Sequence, residues 1–441
     1  MMKRFIFSLT CLAVSFCFGV SSFGADEASD KDFMTPKKVK KPYQHLLVLG
    51  DDFHVSDGTN MQSPIFAYFW FGENFKNPDL YTQVTVTTTR IYAIAAYKTD
   101  RVYTGVKPLL EHSTFAGWRS YNRGYLDRGR SIKGNNVGAS VFFQYNWLRI
   151  LSTRIYLHPS YHFYRFPIIS KNDSKIINIP NNHWQVKPGA ELILSDLEQT
   201  DLNRVLHGYL FRVEYQYARK IGYGTWYDYD RMWFRERYDG VWLPGGYGPP
   251  YTLGTWYRSK IRDTHRLYFN TGGYYNFKGD YNILLDIYGG FFTGVDRNNA
   301  EQIGYSQADH AVMPGYFNTE FQSAFYLIAR LQVGIPLPFW GTRIQPGFNV
   351  LYMPKTNDVI GIGRNNITNW WLKGGYPERF YKSVSCQLSI KLGNLLPLFV
   401  DYAYGIDAVR ANASHEVYLK KYSRGSHEFK VMLVMGFVKN E

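Results

Sequence analysis

The chain has 441 residues, enough for two or three soluble domains of about 150 residues each, but 18% of them are aromatic (37 Tyr, 31 Phe, 11 Trp) and 39 are Gly, as one large membrane β-barrel requires. Mean hydropathy is −0.31, which excludes a bundle of membrane helices and suits strands that are apolar on one side only. The formal charge of +14 is dispersed among aromatics on many segments instead of forming one basic face, which argues against a nucleic-acid partner.

Lys3 and Arg4 precede an apolar run from Phe5 to about Val20, followed by Ser21, Ser22, Phe23, Gly24 and Ala25. This is the pattern of a cleaved secretory signal peptide, assigned to 1–25. Cys11 and Cys17 leave with it, so only Cys386 remains and no intrachain disulfide is expected. Residues 26–62 read as a periplasmic tail, acidic at first and then basic through Lys37, Lys38, Lys40 and Lys41. Gly50, Asp51, Asp52, His54 and Asp57 at its end read as a polar turn rather than a cation site. The barrel is assigned to 63–441, its first strand pattern starting near Pro64.

Period-two alternation follows, the mark of strands whose side chains point to opposite faces. Val137, Ala139, Val141, Phe143, Tyr145 and Trp147 alternate with Gly138, Ser140, Gln144 and Asn146. Tyr209, Phe211, Val213, Tyr215 and Tyr217 do so with Arg212, Glu214 and Gln216, and Ile283, Leu285 and Ile287 with Asn282 and Asp286. The stretch from Gly222 to Ile261, dense in Trp and Tyr, reads as an extended hairpin above the membrane, with two hidden strands as the other possibility. Near the end, Val384, Cys386, Leu388, Ile390 and Leu392 alternate with Ser383, Ser385, Gln387, Ser389 and Lys391. The last segment sets Phe429, Val431, Leu433, Met435 and Phe437 against Lys430, Met432, Val434 and Gly436. The predicted fold is all-β, a transmembrane antiparallel β-barrel of sixteen strands, with fourteen as the alternative.

Catalytic patterns are missing from the sequence: it has no Gly-x-Ser-x-Gly elbow, no His-Glu-x-x-His helix and no phosphate loop. His415-Glu416 and His427-Glu428 are half-motifs, each without a second histidine one turn on. His158, Ser160 and His162 share one side of a strand, as ordinary lining residues do. The expectation is a non-enzyme with no catalytic, cofactor or metal residues. Arg212, Arg266, Arg330, Arg343 and Lys391 fall on the polar register and are expected to line the interior, either favouring anions or pairing with carboxylates such as Glu214, Asp286 and Asp401.

From about Gly289 onward the order of features resembles the bacterial surface antigen family, the barrel-assembly and two-partner-secretion transporter superfamily. Met313-Pro314-Gly315-Tyr316 stands where that family has a Val-Arg-Gly-Phe/Tyr loop tip, and Pro397, Asp401 and Tyr402 match the Pro-x-x-x-Asp-Tyr of its penultimate strand. The resemblance implies a loop tip of Met313, Pro314, Gly315 and Tyr316 folded back into the barrel. It also implies an imperfect seam between first and last strands, the last carrying Phe429, Val431, Leu433, Met435, Gly436 and Phe437, whose unpaired backbone groups accept a client strand. Three departures stand out. Pro314 replaces the tip arginine, and the strand that supplies its acidic partner reads Gly347-Phe348-Asn349; losing both members together avoids a stranded charge. Phe437 is followed by four more residues, so the terminal aromatic is displaced. The third is at the front, where the roughly forty residues between leader and Pro64 are too few for the periplasmic transport-associated domains that the family carries.

The function this implies is outer-membrane protein assembly or translocation of polypeptides or lipids. A passive anion-preferring channel and a non-enzymatic surface adhesin are the alternatives. The expected surroundings are outer-membrane lipids and lipopolysaccharide, with unfolded client polypeptides or other assembly subunits as partners.

Overall fold

The computed structural model describes residues 45–55, 61–72, 77, 79–88, 90–111, 118–122, 125–165, 181–197, 207–224, 226–229, 256–259, 262–277, 281–294, 301–303, 313–316, 320–323, 325–339, 341–353, 380–392, 396–411 and 422–437. The strands are β1 (His45–Val55), β2 (Met61–Gly72), β3 (Leu80–Thr87), β4 (Arg90–Lys98), β5 (Val102–Glu111), β6 (Trp118–Asn122) and β7 (Tyr125–Asn146). They continue with β8 (Leu151–Arg165), β9 (His183–Ser195), β10 (Gly208–Ile221), β11 (Trp226–Tyr229), β12 (Trp256–Ser259), β13 (Asp263–Asn276) and β14 (Asn282–Thr293). The last are β15 (Glu301–Ile303), β16 (Phe321–Ser323), β17 (Phe325–Pro336), β18 (Arg343–Tyr352), β19 (Phe380–Leu392), β20 (Leu396–Ala411) and β21 (Tyr422–Phe437).

Neighbouring strands pair antiparallel around a closed ring of 16, with β1 returning to β21; β6 folds onto β7 beside the ring. Closure leaves no sheet edge exposed, the condition a strand must meet in hydrocarbon. The alternation read from sequence sorts inside from outside. Val106, Val141 and Leu157 lie opposite one another on β5, β7 and β8, and all face outward and exposed, as do Phe143, Ile155, Val384, Phe429 and Val431. Glu191, Glu214, Asn282, Asp286, Asn349, Ser383 and Lys430 are buried on the inner side. An apolar exterior around a polar interior is the arrangement lipid imposes.

The ring begins earlier than the sequence suggested. Residues 45–55 and 61–62 are not tail: β1 starts at His45 and is a full member, and β2 starts at Met61. Gly50, Asp51 and Asp52 resemble a turn locally, but the ladder from β2 and β21 on either side holds them extended. Gly50 is needed there, since a Cβ would meet Met432 Cα at 3.0 Å and its Cγ at 3.1 Å. Between Gly222 and Ile261, β11 and β12 pair with each other as a separate two-stranded sheet and add nothing to the ring. The leader, residues 26–44 and the His415-Glu416 pair lie outside the described residues.

Inside, β7 to β10 are laced by charge. Arg154 donates to Gln144 Oε1 at 2.6 Å and lies 3.4 Å from Glu191, whose other oxygen is 3.2 Å from Arg212. Arg212 also meets Glu214 at 3.0 Å, and Glu214 accepts from the Tyr156 hydroxyl. Two buried carboxylates between two guanidiniums satisfy each other, and this network spans four strands.

Candidate functional site at the closing seam

The site is built where β21 meets β1 and where the connection between β14 and β17 reaches back into the ring. β15 and β16 pair as a short stem of that connection, with Ile303 and Phe321 buried. Beyond the stem, Met313 and Tyr316 are fully buried, packed among Tyr326, Ile328, Leu351, Met353, Tyr381 and Ala408. These partners belong to the inward registers of β17 to β20 and its surroundings, so the tip rests on the inner wall. Tyr316 lies 5.0 Å from Phe321 and edge-on to Tyr381 at 6.2 Å between ring centres, and its hydroxyl donates to the Lys382 carbonyl at 2.8 Å. Burial of two large side chains holds the tip by several kcal/mol, on the order of 2 for each.

Gly315 is the hinge of the contact. Its φ is +84°, a region that favours glycine, and a Cβ there would lie 2.8 Å from the Tyr404 carbonyl carbon and 3.0 Å from Gly405 Cα. The bare backbone is thus pressed against β20, and its amide donates to Glu428 Oε2 at 2.6 Å. Pro314 is half-buried. A carboxylate does bind this tip, but through a backbone amide, and it comes from β21 rather than from the strand carrying Asn349. Asn349 itself is buried and donates to Ser383 and Ser385 at 3.2 Å each.

The seam itself differs from the expectation. Every one of the 11 residues of β1 has a partner on β21, His45 with Phe437 through Val55 with His427, without a register break. Along these paired residues no backbone edge is open to receive a client strand; the irregularity lies on the other side of β21, between Gly405 and Val409 of β20, with Gly425 at φ +93° nearby. Phe429 and Val431 face outward and exposed, Leu433 and Met435 outward and half-buried, and Gly436 inward. On the inner side, Asp52 and His54 of β1 stand beside Lys430 and Glu428 of β21.

The other residues singled out from sequence are distributed around the wall. Pro397 and Asp401 face inward, with Asp401 accepting from Gln387 at 2.8 Å. Tyr402 faces outward, where it meets His427 Nδ1 at 3.0 Å and packs with its ring tilted against Phe429. Arg212 is paired as described. Arg266 reaches the Tyr268 hydroxyl at 3.3 Å, Arg330 lies 4.5 Å over the Tyr288 ring, and Arg343 donates to Asn282. Lys391 is half-buried on the inner register of β19. Ser160 Oγ lies 3.2 Å from His162 Nε2, but Ser160 is fully buried and its oxygen also approaches the Gln185 carbonyl, which closes it to a substrate. Glu428 was missed as an anchor because its partner is 113 residues away in sequence; the one local sign was a carboxylate on the inward register of the last strand.

No protein-family model matches the sequence, and no curated protein does either. Solved barrels do match. BamA from Haemophilus ducreyi, in a form lacking POTRA domains 1–3, superposes with a TM-score of 0.52 at 12% identity, over 90% of this chain and 71% of that one. CdiB from Acinetobacter baumannii gives 0.48 at 10% identity, over 89% of this chain and 60% of that one, so the chain spans about 60% of its length. A bacterial polysaccharide outer membrane secretin gives 0.41 at 6% identity, over 90% and 100% of the two chains. With its 16 strands closed and antiparallel, the chain has the fold of an outer-membrane β-barrel like that of BamA.

Proposed function

We propose that the protein works in the outer membrane as an assembly or translocation barrel, moving or inserting polypeptide or lipid without bond chemistry. The observation that carries this reading is the tip of the β14–β17 connection, seated on the inner wall with Gly315 on Glu428. An internal segment fixed to the closing strand suits a gated device better than an open pore, since moving either the tip or β21 disturbs the other. The fully paired seam adds a requirement: β1 must separate from β21 before a client strand pairs with either. Eleven paired residues are a barrier that a partner or client has to help overcome, consistent with work on polypeptides rather than free diffusion.

Depleting the protein in its native bacterium and measuring other outer-membrane barrels and surface proteins by quantitative mass spectrometry tests the reading. A selective fall in a subset is expected; an unchanged outer-membrane proteome would remove it.

A further inference from the structure

Asp52, His54 and Glu428 converge on the inner face of the seam, all three buried, with one potential ligand atom from each lying within 4.8 Å of the others. Two come from β1, two residues apart on the same side of the strand, and Glu428 sits directly across from His54. We propose that these three residues form a divalent-metal site, suited to Zn²⁺ or a similar transition ion, that staples the first strand of the barrel to the last. The site stands independently of the assembly role.

Three observations support it. The side chain of Asp52 is 10% exposed, yet its Oδ1 accepts no hydrogen bond; His54 Nε2, a member of the same trio, lies 3.5 Å away. A buried carboxylate oxygen lacking a donor is costly, and a cation satisfies it. Charge is also unbalanced. Lys430 sits in register between Asp401 on one side and Asp52 on the other, so three carboxyl groups, with Glu428, surround one ammonium. A dication offsets the remainder. Finally, the donors are one imidazole and two carboxylates, a set that suits Zn²⁺ or Mn²⁺ and not the all-oxygen preference of Ca²⁺ or Mg²⁺. Bonds of 2.0–2.2 Å in a tetrahedron put ligand atoms about 3.3 Å apart, so the trio closes by at most about 1.5 Å through side-chain rotation. Glu428 then joins metal, last strand and loop tip, since Gly315 already donates to its Oε2.

The test uses the full mature chain, folded in detergent micelles, stripped with chelator and dialysed against Zn²⁺. One Zn²⁺ per chain is expected, with affinity reduced at least tenfold in Asp52→Asn, His54→Gln and Glu428→Gln, and raised in Lys430→Gln, where a competing positive charge is gone. Glu428→Gln keeps an oxygen for Gly315, so it separates metal loss from loss of the loop contact. Failure of the folded wild type to retain Zn²⁺, or retention as tight in all three variants, overturns the proposal and assigns any bound ion to exposed histidines such as His427. If a variant does not reach the compact heat-modifiable form, the zinc-edge absorption spectrum of the wild type decides: a shell of one imidazole and carboxylate oxygens supports the site, and a shell without imidazole refutes it.

Discussion

Glu428 accepts from the Gly315 amide in an interior from which both groups are withdrawn from water. Truncating the acid to alanine leaves a buried N–H without a partner, which costs about 1–3 kcal/mol. Glutamine keeps an acceptor oxygen and loses only the charge, so it costs less. With chelator present, so that no bound metal contributes, Glu428→Ala is therefore expected to lower the urea unfolding midpoint of the vesicle-embedded barrel and to make the β14–β17 connection more sensitive to protease, while Glu428→Gln stays close to wild type. Equal behaviour of the two variants would show that the amide contact contributes nothing. Sequence gave partial access to this site: the resemblance pointed to Met313–Tyr316 as a tip, and the structure seats those residues on the inner wall. What holds them was illegible, because the half-motif His427-Glu428 divides across a strand. His427 faces out to Tyr402 and Glu428 faces in to Gly315, a split that local spacing does not reveal without the register.

Strands with clean alternation were readable and one without it was not. On β19 every second residue from Val384 to Leu392 is apolar, and the observed pairing of Val384 with Tyr404 and of Ser385 with Ala403 keeps each to its expected side. On β1 the inward positions Leu46, Val48 and Gly50 give way to Asp52 and His54, and outward-facing Asp51 breaks the apolar row, bonded to the Gln62 side chain of β2. An acid on the outer face and a glycine beside it hide the period, so this strand became visible only through its partners. The lipid-facing rows are the complementary case. Val141 lies between Val106 and Leu157 on the outer surface, exposed to the bilayer. Val141→Lys should cost about 2–4 kcal/mol if that row sits near the midplane. The same change at Gln332, on the inner register of β17, should cost less than half as much. Unfolding titrations in lipid vesicles compare the two, and a larger penalty at Gln332 would mean that the two faces have been assigned the wrong way round.

For the whole molecule, the choice between a gated barrel and an open channel turns on what fills the ring. Arg154 and Arg212 are neutralised by Glu191 and Glu214, Arg330 rests over Tyr288, and Arg343 is tied to Asn282, so the basic row expected of an anion channel is largely engaged in contacts with the wall. Aromatic packing around Met313 and Tyr316 occupies one side of the interior as well. In planar bilayers the wild type is therefore expected to pass small, flickering currents with little anion preference. Gly315→Val tests the source of the block: at φ +84°, with Tyr404 and Gly405 within 3.0 Å of the new Cβ, a branched side chain forces the tip off β20. Conductance should then rise several-fold and steady, while the heat-modifiable fold survives, because the ring of 16 strands does not depend on the tip for its hydrogen bonds. A large, stable, anion-selective current in the wild type, unaltered by Gly315→Val, would favour the passive channel, since an interior that conducts freely with its loop seated has no gate for the loop to form.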